Sequence, residues 1–411
     1  MKRGWELREL AAVSAINYGY TESAASEPVG PRFLRITDIQ DDRVVWDSVP
    51  YCKIDAEDLS KYRLTSGDIV FARTGATTGK SFLVSDPPEA VFASYLIRLR
   101  LIEKNLLPEF VAKFFQTERY WKSINDGSVG SAQGGFNATK LGALTIPVPP
   151  LPEQRRIVGI LDEAFEAIAT AKANTEKNLQ NARALFESHL NAVFTQRGEG
   201  WAETALGDVC GFVRGPFGGS LKKSIFVAEG YAVYEQQHAI YEQFDKVRYF
   251  VGETKFKEMK RFELFSNDLI MSCSGTMGRV AIVPRGIRRG IINQALLKLT
   301  PSANILSTFL RSWMESKAFQ DALKQYSGGA AIQNVASVKI LKEIKVPLPS
   351  VEQQERVVAT LDSIRDETQR LESIYQHKLA ALEELKRSLL HQAFTGALTS
   401  KPAKAIAEAA V

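Results

Sequence analysis

The segment IPVPPLPEQRRIVGILD at 146 to 162 returns as VPLPSVEQQERVVATLD at 346 to 362, in a chain of 411 residues. The register holds well beyond those lines. Trp5 and Leu10 answer Trp201 and Leu206, and GDIVFARTG (67 to 75) answers NDLIMSCSG (267 to 275). LIRL (96 to 99) matches LLKL (296 to 299), Gln133 matches Gln333, and LNAVF (190 to 194) matches LHQAF (390 to 394). A period near 200 far exceeds the roughly 20 to 50 residues of stacked solenoid repeats. Whole domains are therefore duplicated, and a two-fold chain suggests a two-part target.

Each copy divides into a globular front and a helical back. The first front carries short apolar runs such as FLRITDI, RVVWDSV, DIVFAR and SYLIRLRL between Gly, Pro, Asn and Asp, the pattern of strands and turns. One helix is expected at about 108 to 124, where Phe110, Val111, Phe114, Phe115 and Tyr120 fall at helical spacing; its counterpart is 307 to 323. The fold class is α+β: two mixed domains in tandem, each followed by a long helix. The expected boundaries are 1–148, 149–197, 198–348 and 349–398, with an Ala-rich tail at 399–411.

The backs open on proline clusters, with Pro152 suited to a first helical position and Ser350 with Gln353 spaced as a capping box. Apart from Gly159, no Gly or Pro then interrupts about 40 residues. Ile157, Leu161, Ala164, Ile168, Ala171, Thr175, Asn178, Ala182 and Leu185 recur at steps of four and three. So do Val357, Leu361, Ile364, Thr368, Leu371, Tyr375, Lys378, Leu382, Leu385 and Leu389. This is a coiled-coil seam. A helix about 60 Å long at roughly 1.5 Å per residue cannot hide such a stripe within a small domain. The expected partner is the other copy's helix, antiparallel about a pseudo-two-fold axis; packing on its own front is the plainer alternative.

Composition sets the class. With 45% apolar and 24% charged residues the chain is an ordinary globular protein. No run approaches the roughly 18 apolar residues of a membrane span, and MKRGWELREL has no apolar segment after its positive residues, so no membrane partner is expected and the location reads as cytoplasmic. Cys52, Cys210 and Cys273 give neither a disulfide framework nor metal spacing and read as buried or idle thiols. Lys and Arg number 52 against 47 Asp and Glu, a net +5 that permits an anionic partner without demanding one. Two similar surfaces held by paired helices suit half-sites on a duplex, one helical turn of which is about 34 to 36 Å.

The order of front, PLPEQRRIV-type helix, second front and PLPSVEQQERVV-type helix ending in LLHQAFTGAL resembles the specificity subunit of type I restriction-modification systems. The GDIVFARTGATTGK segment is typical of that family too, and the resemblance runs from Trp5 to about Leu398. It implies two target-recognition domains, each reading half of a bipartite, asymmetric double-stranded DNA site, and an antiparallel coiled coil that sets the gap. It also implies docking of two modification subunits that methylate adenine, with motor-nuclease restriction subunits joining for cleavage. The chain itself would be non-catalytic and bind no cofactor; S-adenosylmethionine, ATP and Mg would sit on the partners.

Three segments of each front are candidates for DNA contact. ARTGATTGK (72 to 80), echoed by SCSGTMGR (272 to 279), offers Arg73, Thr74, Thr77, Thr78, Lys80, Ser272, Ser274 and Arg279 among glycines that let a backbone approach phosphates. Arg73 is also suited to a guanine edge. Ala93, Ser94 and Tyr95 stand opposite Asn293, Gln294 and Ala295, of which Asn and Gln are the residue types that pair with adenine. The glycine-bracketed stretches 126 to 140 and 327 to 339 hold Gln133, Asn137 and Lys140, and Gln333, Asn334 and Lys339. In RGPFGGSLKKS, Lys222 and Lys223 suit a phosphate-binding loop, or equally a plain surface charge pair. For each residue singly an ordinary surface turn is the bland alternative.

Other signals are discounted. GATTGKS lacks the first glycine of a phosphate-binding P-loop, with Thr74 in its place. SDPPEA has Glu89 where amino-group methyltransferases carry an aromatic, so it reads as a turn. His189, His238, His377 and His391 have no metal-ligand spacing, and His238 with Gln236 and Gln237 in the EQQH run reads as a solvated loop, with DNA contact the lesser alternative. A self-contained nucleic-acid-modifying enzyme and a coiled-coil scaffold without DNA are the alternative functions.

Overall fold

The strand-forming runs of each front assemble into an antiparallel sheet in a computed structural model, which describes residues 4–40, 43–128, 135–217, 219–325 and 337–400. Two compact units divide the chain: Met1–Thr175 with His377–Val411, and Glu176–Gln376. The division passes through both long helices, Leu151–Gln196 and Val351–Thr395, so each unit owns one front and half of each helix.

In unit 1 the sheet order is Ser14–Tyr18, Leu96–Leu101, Ile69–Ala72, Ser81–Leu83. Arg32–Leu34 runs parallel to Ala90–Phe92 beside it. Glu6–Glu9 pairs with Thr145–Val148 and so ties the front's first strand to the proline-rich entry of the long helix. The core gathers Phe71, Ile97, Leu99, Phe110, Phe114 and Tyr120 with Ile157 and Leu161 of the first long helix and Leu389 and Leu390 of the second. Phe394, near the end of the second helix, lies 4.9 Å from Phe110 and 5.5 Å from Phe114, ring centre to ring centre.

Unit 2 repeats the plan. Its sheet is Cys210–Arg214, Leu296–Pro301, Leu269–Ser272, Val280–Ile282, and Ala202–Ala205 pairs with Lys345–Leu348. The smaller sheet is larger here, with Phe226–Val227, Phe250–Val251, Tyr231–Tyr234 and Gly290–Ile292. Phe194, near the end of the first long helix, lies 5.5 Å from Phe309, and Leu190 and Leu361 join the same core.

Each helix entry is pinned by a fully buried glutamine. Gln154 accepts from Leu107 N at 2.9 Å and donates to Asn105 O and Pro149 O at 2.8 Å. Gln354 repeats the set with Leu306 N, Asn304 O and Pro349 O at 2.8, 2.9 and 3.0 Å. The Ser350 and Gln353 capping box is present in both directions, at 3.1 and 3.3 Å. Pro152 occupies the second residue of its helix rather than the first.

Two expectations need correction. The helix foreseen at 108 to 124 is two helices, Pro108–Phe114 and Glu118–Ser128, as its counterpart is Ser307–Glu315 and Lys317–Gln325. Buried Thr117 makes the break: its hydroxyl donates to Phe114 O at 2.7 Å and accepts from Tyr120 N at 3.2 Å, closing one helix and starting the next. Ser316 closes the counterpart through Trp313 O at 2.6 Å.

The second correction concerns one position of the coiled-coil seam, Leu185. Ile157, Leu161 and Leu361 are fully buried, Ile168 and Leu389 nearly so, and Val357, Ile364, Leu371, Leu382 and Leu385 are half-buried. Leu185 is instead 55% exposed, and the buried face passes to Ala182, Phe186, Leu190 and Phe194. A straight helix drifts about 20° per heptad against a seven-residue repeat, which over the four heptads from Ile157 amounts to most of one position, although Leu385, four heptads on from Val357, stays half-buried.

Candidate nucleic-acid interface

In unit 1 the hairpin of Ile69–Ala72 and Ser81–Leu83 carries the 73 to 80 connector at one end of the sheet. Arg73 N donates to Tyr95 O at 3.2 Å, and Phe136 N donates to Arg73 O at 2.9 Å. Ala138 N donates to the Tyr18 hydroxyl at 3.1 Å. The hairpin tip, the 93 to 95 loop and the described part of the glycine-bracketed stretch thus meet at one edge.

Side chains there divide into those held by the fold and those turned outward. Thr78 donates its hydroxyl to Gly75 O at 2.8 Å. Asn137 caps the helix Ala138–Gly142 by accepting from Lys140 N at 2.9 Å, and Lys140 Nζ reaches Gly127 O at 2.7 Å. Thr74, Thr77 and Ser94 are half-buried, whereas Lys80 and Tyr95 are exposed. The Arg73 guanidinium carbon lies 5.0 Å from the centre of the Tyr18 ring, and Arg73 Nε is buried with no hydrogen-bond partner among the described residues. An unpaired buried N–H is costly unless a ligand completes it.

Unit 2 builds the same tip with a connector one residue shorter. Cys273 N donates to Ala295 O at 2.9 Å, as Arg73 does to Tyr95. Gln236 clasps the tip from the helix Gln236–Tyr241: its amide donates to Ser274 O at 2.5 Å, and its oxygen accepts from the Ser274 hydroxyl at 3.1 Å. Ser272 is fully buried, donating to Thr276 O at 2.6 Å and accepting from Arg279 N at 3.0 Å, so the expectation of DNA contact there is corrected to support of the turn. Asn293 is half-buried with its oxygen on Ala295 N at 3.0 Å, while Gln294 and Arg279 are exposed. Exposed Lys222 and Lys223 lie at a separate short turn, Lys223–Ile225, and Lys339 is exposed on the helix Val338–Glu343. Gln133, Gln333 and Asn334 lie outside the described residues.

The glycines have a second task that spacing did not disclose. Gly79 has φ 93° and a side-chain carbon there would stand 2.8 Å from Ile124 and 2.9 Å from Trp121; at Gly278, φ 73°, it would meet Leu323 at 2.6 Å. Tyr120 donates its hydroxyl to Gly79 O at 2.6 Å, and Gln320 its amide to Gly278 O at 3.1 Å. These glycines let a helix close on the hairpin from behind. Gly75 and Gly275 face open space at φ 75° and 63°, leaving bare backbone at the tip.

The remaining polar signals are structural. His238 is fully buried, not solvated: Nδ1 accepts from Glu235 N at 2.9 Å and Nε2 lies 3.2 Å from Lys246 O. Burial pushes the Cys52 thiol up to about 11 and those of Cys210 and Cys273 to about 12. SDPPEA forms the turn between Ser81–Leu83 and Ala90–Phe92. Among the described residues there is no group of three or more His, Cys, Asp or Glu able to hold a metal, and no helix long and apolar enough to cross a membrane. Tyr18 is a tip residue that the sequence motifs do not single out, whereas Tyr95 falls in a candidate segment and Gln236 in the EQQH run. Tyr18 shares a strand face with Ile16, a period-two signal that was available.

The model of the type I restriction modification DNA specificity domain matches this chain twice, at residues 2–181 and 198–381. The chain belongs to that family. Its members serve DNA recognition, a non-catalytic role within restriction-modification systems. The provisionally named type I restriction enzyme MjaX specificity subunit of Methanocaldococcus jannaschii is 26% identical over 97% of this chain and 94% of its own length. The EcoKI specificity subunit of Escherichia coli is 23% identical over 82% of this chain and 76% of its own. Among solved structures, a chain of a type I restriction-modification assembly matches with TM-score 0.77 at 20% identity, covering 97% of this chain and 99% of that one. The HsdS subunit from Thermoanaerobacter tengcongensis gives 0.64 at 19% identity, covering 97% and 98%. At those identities the structures speak for the fold, including the two long helices packed together, and the family match carries the role.

Proposed function

We propose that each hairpin tip of this specificity subunit reads one half of a bipartite, asymmetric DNA site, and that the chain thereby directs adenine methylation and restriction by partner subunits. The observation that carries this reading is a repeated framework with unlike tips. Both copies keep the buried glycine, the pinned helix entry and a buried aspartate that caps the turn before the hairpin, Asp68 on Thr65 N at 2.8 Å and Asp268 on Phe265 N at 2.9 Å, yet one tip presents Arg73, Lys80 and Tyr95 and the other Arg279 and Gln294. A common scaffold with different polar groups suits different bases at a common docking geometry. The cations and bare tip backbone suit phosphates, and Arg73 Nε is a buried donor with no partner among the described residues. In this reading two modification subunits dock on the long helices and bring S-adenosylmethionine, while ATP and Mg act with the restriction subunits, in the cytoplasm.

The test is long-read mapping of methylated adenine in a methylation-free host that carries this gene with its neighbouring modification gene, against the modification gene alone. A two-part, asymmetric motif that requires this chain is the expected outcome. A co-purifying complex that adds no motif would overturn the reading.

A further inference from the structure

The two long helices meet in both units at one antiparallel register. In unit 1, Lys172 Nζ lies 2.7 Å from Glu383 Oε1, and Lys386 Nζ lies 4.9 Å from the centre of the Phe165 ring. In unit 2, Arg183 Nε lies 3.1 Å from Glu372 Oε2, and the Arg365 guanidinium carbon lies 4.9 Å from the centre of the Phe186 ring. The repeat offset of 200 relates these contacts: 172 corresponds to 372, 183 to 383, 165 to 365 and 186 to 386. At every corresponding position the chemistry is inverted. Lys172 and Arg183 of the first helix stand where the second has Glu372 and Glu383, and Phe165 and Phe186 stand where it has Arg365 and Lys386.

We infer that these positions encode which helix each long helix accepts: the other copy's helix fits, and a second copy of itself is rejected. In the same register, two first helices would set Lys172 against Arg183 and two second helices Glu372 against Glu383. Both arrangements place like charges where the observed pairs attract. Two first helices would also face Phe165 with Phe186, and two second helices Arg365 with Lys386, so neither homotypic pair forms a cation–ring contact. A recently duplicated seam of equal apolar residues would pair either way, and inverted charges at its flanks are the means by which coiled coils choose partners. The Lys172 ammonium, hydrogen-bonded to Glu383, holds that carboxyl below its ordinary range, with Lys386 and Arg387 adding to the effect. Arg365 is further anchored by Glu315 at 2.9 Å, so its place over Phe186 is fixed by its own unit. The inference concerns the helices alone and does not depend on how the tips meet DNA.

Three full-length proteins test it. A copy-symmetric variant, Glu372→Lys with Glu383→Arg, forces the first-helix contacts upon the chain. A reversed variant adds Lys172→Glu and Arg183→Glu and restores opposite charges with the sign exchanged. Melting is followed at low salt and in molar salt. The symmetric variant is expected to melt about 2–4 °C below the parent at low salt, with most of the gap closed by salt, and the reversed variant within about 1 °C of the parent. A symmetric variant that melts with the parent, or a reversed variant no better than the symmetric one, overturns the inference. If the symmetric variant fails to fold, the reversed one decides: parent-like melting supports the charge code, and failure sinks it.

Discussion

Gln154 and Gln354 show how one side chain sets the geometry of a much larger part. Each is fully buried, and each satisfies one backbone donor and two acceptors where a strand, a loop and a helix converge. Gln154→Leu removes those partners while keeping the bulk, leaving the buried Pro149 O and the part-buried Leu107 N and Asn105 O without that side chain. The expected loss is about 2–4 kcal/mol of unit 1 stability, with a like loss in unit 2 from Gln354→Leu, read from denaturant midpoints. The thiols make a pH-dependent prediction at the same scale. Cys210 and Cys273 ionise near 9 when unfolded but only near 12 when folded, so above pH 9 the unfolded chain sheds protons that the folded chain keeps. Their stabilising contribution is full below pH 9 and is lost as pH rises towards 12, at up to about 1.4 kcal/mol per pH unit for each thiol. Melting of the parent should fall more steeply between pH 9 and 11 than that of a Cys210→Ala, Cys273→Ala protein; equal slopes would remove the thiols from the account.

At the scale of elements, the long helices test how far periodicity alone carries. Steps of three and four located both helices and most of their buried face, because apolar spacing is fixed by the chain's own geometry. They misplaced Leu185, because the heptad is only an approximation to a helix of 3.6 residues per turn. Leu185→Ala should therefore change stability by less than about 0.5 kcal/mol, whereas Leu190→Ala, at 4% exposure, should cost about 2–4 kcal/mol. Comparable losses would mean that the seam follows the strict heptad after all. The break at Thr117 was hidden for a different reason. A threonine that caps and a threonine that lies within a helix look alike until its hydroxyl is seen to bond Phe114 O. The tip segments were legible as segments, since glycine and hydroxyl residues recur there in both copies. Which of their side chains turn outward was not, because Ser272 is engaged within its own turn, Asn137 by a helix cap and Lys140 by Gly127 O thirteen residues away.

For the whole molecule, charge limits what binding can rest on. With a net charge of only +5 over 411 residues, the placing of the cations rather than their total decides where phosphates are met. The exposed cations at the tips, Lys80 in unit 1 and Arg279 in unit 2, are the natural candidates. Each phosphate neutralised releases counterions, and the logarithm of affinity falls against the logarithm of salt with a slope of about 0.9 per contact. Lys80→Ala and Arg279→Ala should each weaken binding to a duplex bearing the mapped motif and each reduce that slope by about 1, with the double variant losing about 2. The measurement is a salt titration of labelled duplex binding by the complex with its modification partner. Additive slopes would place one phosphate contact at each tip. If Lys80→Ala alone changed the slope while Arg279→Ala left it untouched, the two tips would not be equivalent readers, and the second unit's DNA contact would have to lie elsewhere, with Lys222 and Lys223 the next residues to neutralise.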